Sequence, residues 1–137
     1  MKTLVIGAAI IDIIMKIKRL PKSGEDILCS ETVSTVGGCA YNVAGTLRGF
    51  GVDHDLFVPV GRGMYGDMIA GDLEKLGYQI LIREEESDNG YCLCLVEEDG
   101  ERTFITVKGA EGRFRPSWFE QLSQDAYGSI YVAGYQV

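Results

Sequence analysis

The amino-terminal part of the chain contains two stretches with different hydrophobic patterns. Residues 3 to 17, TLVIGAAIIDIIMKI, form an almost continuous apolar run rich in β-branched residues, which favours strands buried on both faces of a largely parallel sheet. We expect this run to divide near Asp12, the only charged residue between Lys2 and Lys16. Residues 27 to 36, ILCSETVSTV, mix apolar and polar positions, as expected of a strand with one face in water.

The following segments alternate between helical and strand patterns. Val43, Leu47 and Phe50 recur at helical spacing and are followed by Gly51, so we predict a helix over residues 40 to 50. Further along, the pattern predicts a strand over residues 54 to 60, a helix over 66 to 78 and a strand over 78 to 83. This alternation indicates an α/β protein with a mainly parallel, doubly wound sheet.

Residues 91 to 108, YCLCLVEEDGERTFITVK, interrupt that alternation. Two β-rich runs flank Asp99 and Gly100, a dipeptide typical of hairpin turns, so we predict an antiparallel hairpin. Pro116 is expected to begin a short helix, and the final residues, SIYVAGYQV, read as an apolar strand. A buried parallel strand needs neighbours on the sheet, so we expect the domain to continue beyond this strand.

Charge and cysteine usage limit the classes of partner. The 137 residues carry a formal net charge of −7, which opposes nucleic-acid binding because that binding depends on clustered basic residues. The first apolar run is too short to span a bilayer, and no signal-peptide cleavage site follows it. The four cysteines lack the spacing of metal ligands and His54 lies near none of them, which argues against zinc. Reduced thiols are typical of a cytoplasmic protein.

The stretch VGGCAYNVA, residues 36 to 44, is the first candidate for chemistry. Gly37 and Gly38 precede the predicted helix, and Asn42 falls in its first turn. Glycines at this point let another molecule approach the backbone, and the free N–H groups of a helix start favour an oxygen-rich ligand. Asn42 would offer a donor and an acceptor to a hydroxyl group. Alternatively, the glycines only turn the chain and Asn42 satisfies local backbone groups.

Asp12 is the second candidate. An unpaired carboxylate is costly to bury in an apolar strand, so Asp12 must face water or a partner. If it closes the first strand of an open α/β sheet, it lies where such sheets bind their ligands. The alternative is that Asp12 caps a turn or faces solvent.

Residues 61 to 66, GRGMYG, form a literal G-x-G-x-x-G between a predicted strand and a predicted helix, with acidic residues 84 to 86 farther along. The pattern alone suggests a dinucleotide site. However, Asp67 directly follows the third glycine, and its carboxylate would repel a pyrophosphate at the helix start. We favour turn glycines with an aspartate cap over a dinucleotide-binding oxidoreductase domain.

Several of these stretches together make the chain resemble a known family. In order and spacing, VIGAAIID, GGCAYN, GRGMYGDMIAGDLEKLGY and DGERTF followed by GAEG resemble the amino-terminal half of ribokinase-like (PfkB) carbohydrate kinases. The resemblance runs from about residue 4 to the end, and GG-x-x-x-N is its most specific part. It implies part of a Rossmann-like fold and, for a complete enzyme, phosphate transfer from ATP, with Mg²⁺, to a sugar hydroxyl.

The resemblance also implies roles for particular residues. Asp12 is similar to the aspartate that binds substrate in this family, and Gly38, next to Gly37, and Asn42 are similar to the glycine and asparagine that contact sugar hydroxyls. The family's G-x-D-x-x-G stretch is approximated here, but Gly63 replaces its usual aspartate. The bound molecule would be a sugar or a nucleoside.

In such kinases a small β-sheet lid covers the sugar and often mediates dimerisation. Residues 25 to 36 and 91 to 108 resemble the two segments of that lid, which implies a homodimer. Glu101 or Arg102 is similar to a lid position that reaches the substrate in some members. The alternative for both residues is a solvated charge on the hairpin.

The family's D-T-x-G-A-G-D stretch, which carries the catalytic base and the anion hole, has no match in this chain. We therefore expect residues 1 to 137 to be the amino-terminal, sugar-binding part of one kinase domain. This part would be inactive alone and would bind neither ATP nor Mg²⁺ securely. The alternative from another class is a non-catalytic module that dimerises through its lid.

Overall fold

A computed structural model describes residues 1–134, which form nine strands and three α-helices. In chain order these are β1 (Lys2–Ile6), β2 (Ile10–Lys16), β3 (Glu31–Gly37), α1 (Cys39–Gly49), β4 (His54–Phe57), β5 (Pro59–Val60), α2 (Met64–Lys75), β6 (Ile82–Arg83), β7 (Tyr91–Val96), β8 (Arg102–Val107), α3 (Pro116–Phe119) and β9 (Tyr127–Val132). Two 3₁₀ turns, Ala110–Gly112 and Gln124–Ala126, lie on either side of α3.

The strands form two parallel sheets and one mixed sheet, which confirms the predicted α/β class. Strand β1 lies between β4 and β9 and runs parallel to both, while β5 and β6 form a short parallel pair. The mixed sheet has the order β3-β2-β7-β8, in which β2 and β7 are parallel and the outer pairs antiparallel. We call this four-stranded unit the lid sheet. The predicted lid segments supply three of its strands, and the second half of the first apolar run supplies the fourth.

The central parallel sheet is packed on both faces. Successive side chains of a strand point to opposite faces, so neighbouring residues belong to different core clusters. Val5 and Leu56 pack with α1 and α2 in the larger core cluster. Leu4 and Phe57, one position away, face the opposite side, where Trp118 of α3 packs against them. Because both faces of β1 are buried, the first apolar run has few polar positions.

The predicted division of the first apolar run near Asp12 is wrong. The chain leaves β1 after Ile6 and enters β2 at Ile10, so Asp12 is the third residue of β2. The turn falls at small residues because α1 and the chain after β9 approach closely there. A Cβ on Gly7 would lie 2.9 Å from the Cβ of Ala40 and 2.7 Å from that of Ala133.

The other predicted elements are recovered with shifts at their ends. The predicted helices correspond to α1, α2 and the single-turn α3, and the hairpin is β7 and β8. The strand predicted over residues 78 to 83 is reduced to β6, since its partner β5 is only two residues long. The final strand ends at Val132, and residues 135 to 137 of the predicted strand lie outside the described residues. Within residues 1–134, no helix is long and apolar enough to cross a membrane.

Candidate functional site: a cleft beneath the lid sheet

A cleft of about 280 Å³ opens where the lid sheet meets the start of α1. Its walls come from the β1–β2 turn, the start of α1, the end of β8, the first 3₁₀ turn and the chain after β9. The lining residues are Ala8, Ile10, Gly38, Cys39, Thr106, Lys108, Glu111, Gly112 and Ala133. Its volume is near the lower end of the range for small-molecule pockets.

Asp12 lies on the face of the lid sheet that borders this cleft. It is opposite Cys92 on β7, which is opposite Thr106 on β8, so the three side chains share one face. Ile10, two residues before Asp12, shares that face and, like Thr106, lines the cleft. Asp12 does not itself line the cleft, but it lies on the same sheet face as the two wall residues Ile10 and Thr106.

The Asp12 carboxylate lies directly against Gly37. A Cβ on Gly37 would be 2.0 Å from Oδ2 of Asp12, so the side chain occupies space that only glycine leaves open. Partial burial raises the pKa of this carboxyl group, and desolvation is the cause. Within residues 1–134 no side-chain or backbone donor bonds to it, so a ligand with hydroxyl donors would satisfy a carboxylate that the described chain leaves without partners.

Gly38 brings the start of α1 against the β1–β2 turn. It precedes the helix with a φ of 101°, a conformation that favours glycine, and a Cβ there would lie 2.5 Å from the carbonyl oxygen of Ala8. No side chain caps this helix start. The first N–H groups of α1 are therefore available beside the cleft.

Asn42 follows Cys39, a residue of the cleft wall, by three positions and therefore lies on the same side of α1. Its side chain is exposed. Its backbone N–H donates to the carbonyl of Gly38 at 2.9 Å, and its carbonyl accepts a bond from the hydroxyl of Thr46. Within residues 1–134 the side-chain amide bonds to no backbone group, so the alternative in which Asn42 only satisfies local backbone groups finds no support.

The structure does not bring Glu101 and Arg102 to the cleft. Both are exposed at the turn end of the hairpin, and Arg102 begins β8. Thr106, the cleft residue on the same strand, is four positions away, or about 13 Å along an extended strand. A substrate contact from Glu101 or Arg102 stays a prediction.

The G-x-G-x-x-G stretch has a structural explanation that needs no nucleotide. The carboxylate of Asp88 accepts hydrogen bonds from the N–H of Gly66 at 2.6 Å and of Tyr65 at 3.2 Å, which places it on the start of α2. A Cβ on Gly63 would lie 2.5 Å from the same carboxylate. The prediction that Asp67 caps this helix is wrong: Asp88 caps the start of α2, and Asp67 lies largely in solvent.

Sequence reasoning missed several residues of the cleft. Glu111 is 3% exposed although it lines the cleft, and Lys108 and Thr106 approach from the lid sheet. The only signal for Glu111 was a single acidic residue inside the turn-like GAEG stretch. Cys39 also lines the cleft, and all four cysteines are free thiols. Within residues 1–134 no cluster of three or more potential ligand side chains is suited to a metal ion.

The cleft with its glycine-rich helix start lies in a fold of the carbohydrate-kinase class. The chain belongs to the pfkB family carbohydrate kinases, which it matches over residues 1–134. It is 40% identical over 134 residues to an uncharacterized sugar kinase of Escherichia coli, YegV, covering 98% of this chain and 42% of that protein.

Solved structures give the same fold. Ribokinase from Giardia lamblia superposes with a TM-score of 0.83 at 25% identity, covering 96% of this chain and 41% of that one. Arabidopsis thaliana ribokinase, solved with ribose and ATP, gives a TM-score of 0.75 at 26% identity, covering 96% and 44%. The chain thus spans about two-fifths of the length of the relatives it matches.

Proposed function

We propose that this chain is the sugar-binding, lid-bearing part of an ATP-dependent kinase that phosphorylates a hydroxyl group of a sugar or nucleoside. The observation that supports the proposal is a cleft that Gly38 lines and whose bordering sheet face carries the Asp12 carboxylate, which lies directly against Gly37. Asn42 lies one helical turn beyond Cys39, another residue of the cleft wall. The ribose complex of a ribokinase supports a sugar as the ligand class. An inosine complex of a nucleoside kinase that shares the fold makes a nucleoside the second candidate.

The described residues supply hydrogen bonds that orient a polyhydroxylated molecule. The Asp12 carboxylate would accept bonds from two hydroxyl groups, and bonds to a charged group contribute about 1.5–3 kcal/mol each. The amide of Asn42 would donate to one hydroxyl and accept from another. Correct orientation is a major part of catalysis of phosphoryl transfer, because the acceptor must meet the γ-phosphate in line.

We assign neither ATP nor Mg²⁺ to residues of this chain. Asp88 occupies the glycine-rich start of α2 where a phosphate would otherwise bind, and it would repel one. ATP, which occurs in a solved relative, would supply the phosphoryl group when bound to a complementary part of the kinase. In this proposal residues 1–134 bind and cover the acceptor and are inactive without that part.

The experiment is calorimetric binding of a panel of sugars and nucleosides to the chain and to a polypeptide extended to the length of its relatives. Turnover of ATP is measured with the extended form. We expect one ligand class to bind and be phosphorylated, and we expect Asp12→Ala and Asn42→Ala to raise its Michaelis constant strongly. Asp125→Ala, which removes an exposed carboxylate outside both lid segments, is the matched control. Absence of turnover over the whole panel contradicts the enzyme assignment.

A second proposal concerns association through the lid sheet. Cys92 and Cys94, on the first strand of the hairpin, are buried within the chain. The exposed apolar residues of the hairpin lie instead on β8: Phe104, Ile105 and Val107 are each 43–58% exposed. We propose that β8 contributes to a homodimer, and a monomer by light scattering at high concentration would contradict this.

The oxidoreductase alternative is abandoned. The family match and the position of the Asp88 carboxylate both argue against a dinucleotide site. Location in the cytoplasm stays part of the proposal, with the free cysteines as its support.

A further inference from the structure

A buried carboxylate joins the two strands of the hairpin at their open end. Oε1 of Glu111 accepts a hydrogen bond from the N–H of Gly109 at 2.9 Å, and Oε2 accepts one from the N–H of Gly90 at 2.8 Å. Gly90 immediately precedes β7, and Gly109 follows β8 by two residues. A carboxylate suits this arrangement because both of its oxygens accept and neither donates.

Asn89 extends the same network into the body of the fold. Its Oδ1 accepts from the N–H of Gly61 at 2.7 Å, and its Nδ2 donates to the carbonyl of Pro59 at 2.9 Å. Nδ2 also lies 3.3 Å from the carbonyl of Ala9 and 3.4 Å from Oε2 of Glu111. The base of the lid sheet is thus fixed to the β1–β2 turn and to the segment before α2.

The backbone at this joint leaves no room for a side chain in place of Gly90 or Gly109. A Cβ on Gly90 would lie 2.1 Å from the carbonyl oxygen of Val107, and a Cβ on Gly109 would lie 2.3 Å from the nitrogen of Gly90. The two strands therefore meet backbone to backbone. Glu111 reaches their N–H groups from the cleft side.

The network leads in two hydrogen bonds from Glu111 to Ile11, the residue before Asp12. The carboxylate holds the N–H of Gly90, and the carbonyl of Gly90 accepts a bond from the N–H of Ile11 at 3.3 Å. Ile11 directly precedes Asp12 on β2. On the other strand, Gly109 lies three residues beyond Thr106, which lines the cleft. A shift of either glycine therefore moves a wall of the cleft.

We propose that Glu111 is a positioning residue for sugar binding, which holds the bases of β7 and β8 so that Asp12 and Thr106 face the same ligand. This inference rests on the proposed function. Both carboxylate oxygens of Glu111 are engaged by the backbone, so it acts through the lid sheet and not by contact with the sugar. Its substitution should weaken sugar binding while binding of ATP is unchanged.

The test is Glu111→Gln in the extended polypeptide. Glutamine replaces one acceptor oxygen with an NH₂ donor, which would face the N–H of Gly90 or Gly109, so one of the two bonds is lost. We expect about a tenfold rise in the Michaelis constant for the sugar, equivalent to about 1.4 kcal/mol, and no change for ATP. Glu98→Gln makes the same charge change at an exposed position of the hairpin turn and should match the wild type.

A double-mutant cycle separates positioning from general destabilisation. If Glu111 acts through Asp12, Glu111→Gln should have a much smaller effect on sugar binding in an Asp12→Asn background. Fully additive effects, or equal rises in the Michaelis constants for sugar and ATP, would overturn the inference. A wild type that binds no sugar would instead overturn the proposed function, so the two failures are distinguishable.

Amide hydrogen exchange on the wild type provides a measurement that does not depend on a variant folding. The N–H groups of Gly90 and Gly109 should be protected to a degree similar to that of Ile11, because a buried carboxylate holds both. Exchange at the rate of a solvent-exposed loop amide would show that the joint is open and would overturn the inference.

Discussion

We predict that Gly37→Ala displaces the Asp12 carboxylate and changes the stability of the fold only slightly. The new Cβ would lie 2.0 Å from Oδ2 and 3.0 Å from Cγ of Asp12, so both groups cannot keep their places. Gly37 has no positive φ, and the obstacle is the end of a side chain. Asp12 should therefore rotate away from the cleft while the backbone of β3 stays in place.

The expected loss of affinity follows from the bonds that Asp12 is proposed to make. A bond between a carboxylate and a sugar hydroxyl contributes about 1.5–3 kcal/mol. Losing one such bond weakens binding about 10- to 150-fold, since 1.4 kcal/mol corresponds to a factor of ten. The free energy of unfolding should change by less than about 1 kcal/mol, because alanine also restricts the unfolded chain.

Calorimetry with the sugar that binds the wild type, together with thermal unfolding, measures both quantities. Gly45→Ala is the matched control, because a Cβ on this glycine of α1 has no neighbour within 4 Å. It should retain wild-type affinity. A folded Gly37→Ala protein with wild-type affinity would refute the proposed role of the Asp12 carboxylate.

Three further substitutions test the same geometry. Gly38→Ala should lower the free energy of unfolding by about 1–3 kcal/mol, because the residue has a φ of 101° and its Cβ would meet the carbonyl of Ala8; urea unfolding like that of the wild type would contradict this. Asp12→Asn should stabilise the sugar-free protein at pH 7, since burial raises the pKa of the carboxyl group in the folded state. That gain should disappear as the pH falls below the unfolded-state pKa, about 3.8, and a gain independent of pH would be inconsistent with the argument. Asp88→Ala should cost about 1–2 kcal/mol, the usual value of a helix cap, and circular dichroism melting that is unchanged would show that the cap contributes nothing.

Local sequence signals predicted the elements well where the pattern and the packing agree. The hairpin follows from Asp99 and Gly100, because Gly100 has the positive φ of 86° that a tight turn requires. The position of α1 follows from the glycine pair and from Val43 and Leu47. Phe50 misled the pattern, since the helix ends at Gly49 and the phenyl ring is 82% exposed.

Features that depend on distant residues were not accessible from the sequence. The turn between β1 and β2 carries no polar signal, because small residues are needed there for the close approach of α1 and Ala133. The cap of α2 comes from Asp88, which lies 22 residues beyond Gly66. Likewise, nothing local indicates that the acid of GAEG is buried, because the groups that bind Glu111 come together only when the lid sheet forms.

The residues of the candidate site could be predicted from the sequence, but their mutual orientation could not. Asp12, Gly37, Gly38 and Asn42 were identified from their residue types and from the family resemblance. In the structure Gly38 lines the cleft, the Asp12 carboxylate lies against Gly37, and Asn42 follows the cleft residue Cys39 by one helical turn. Their mutual orientation depends on the pairing of β2 with β7, which joins residues about 80 positions apart. Such pairing cannot be read from spacing along the chain.

The central position of β1 has a consequence for synthesis of the protein on the ribosome. One edge of β1 pairs with β9, and the contact between Thr3 and Ser129 spans 126 residues. At elongation rates of about 5–20 residues per second, roughly 6–25 s separate the translation of these two strands. During that interval one edge of an apolar strand has no partner, so the nascent chain should be a client of ribosome-associated chaperones.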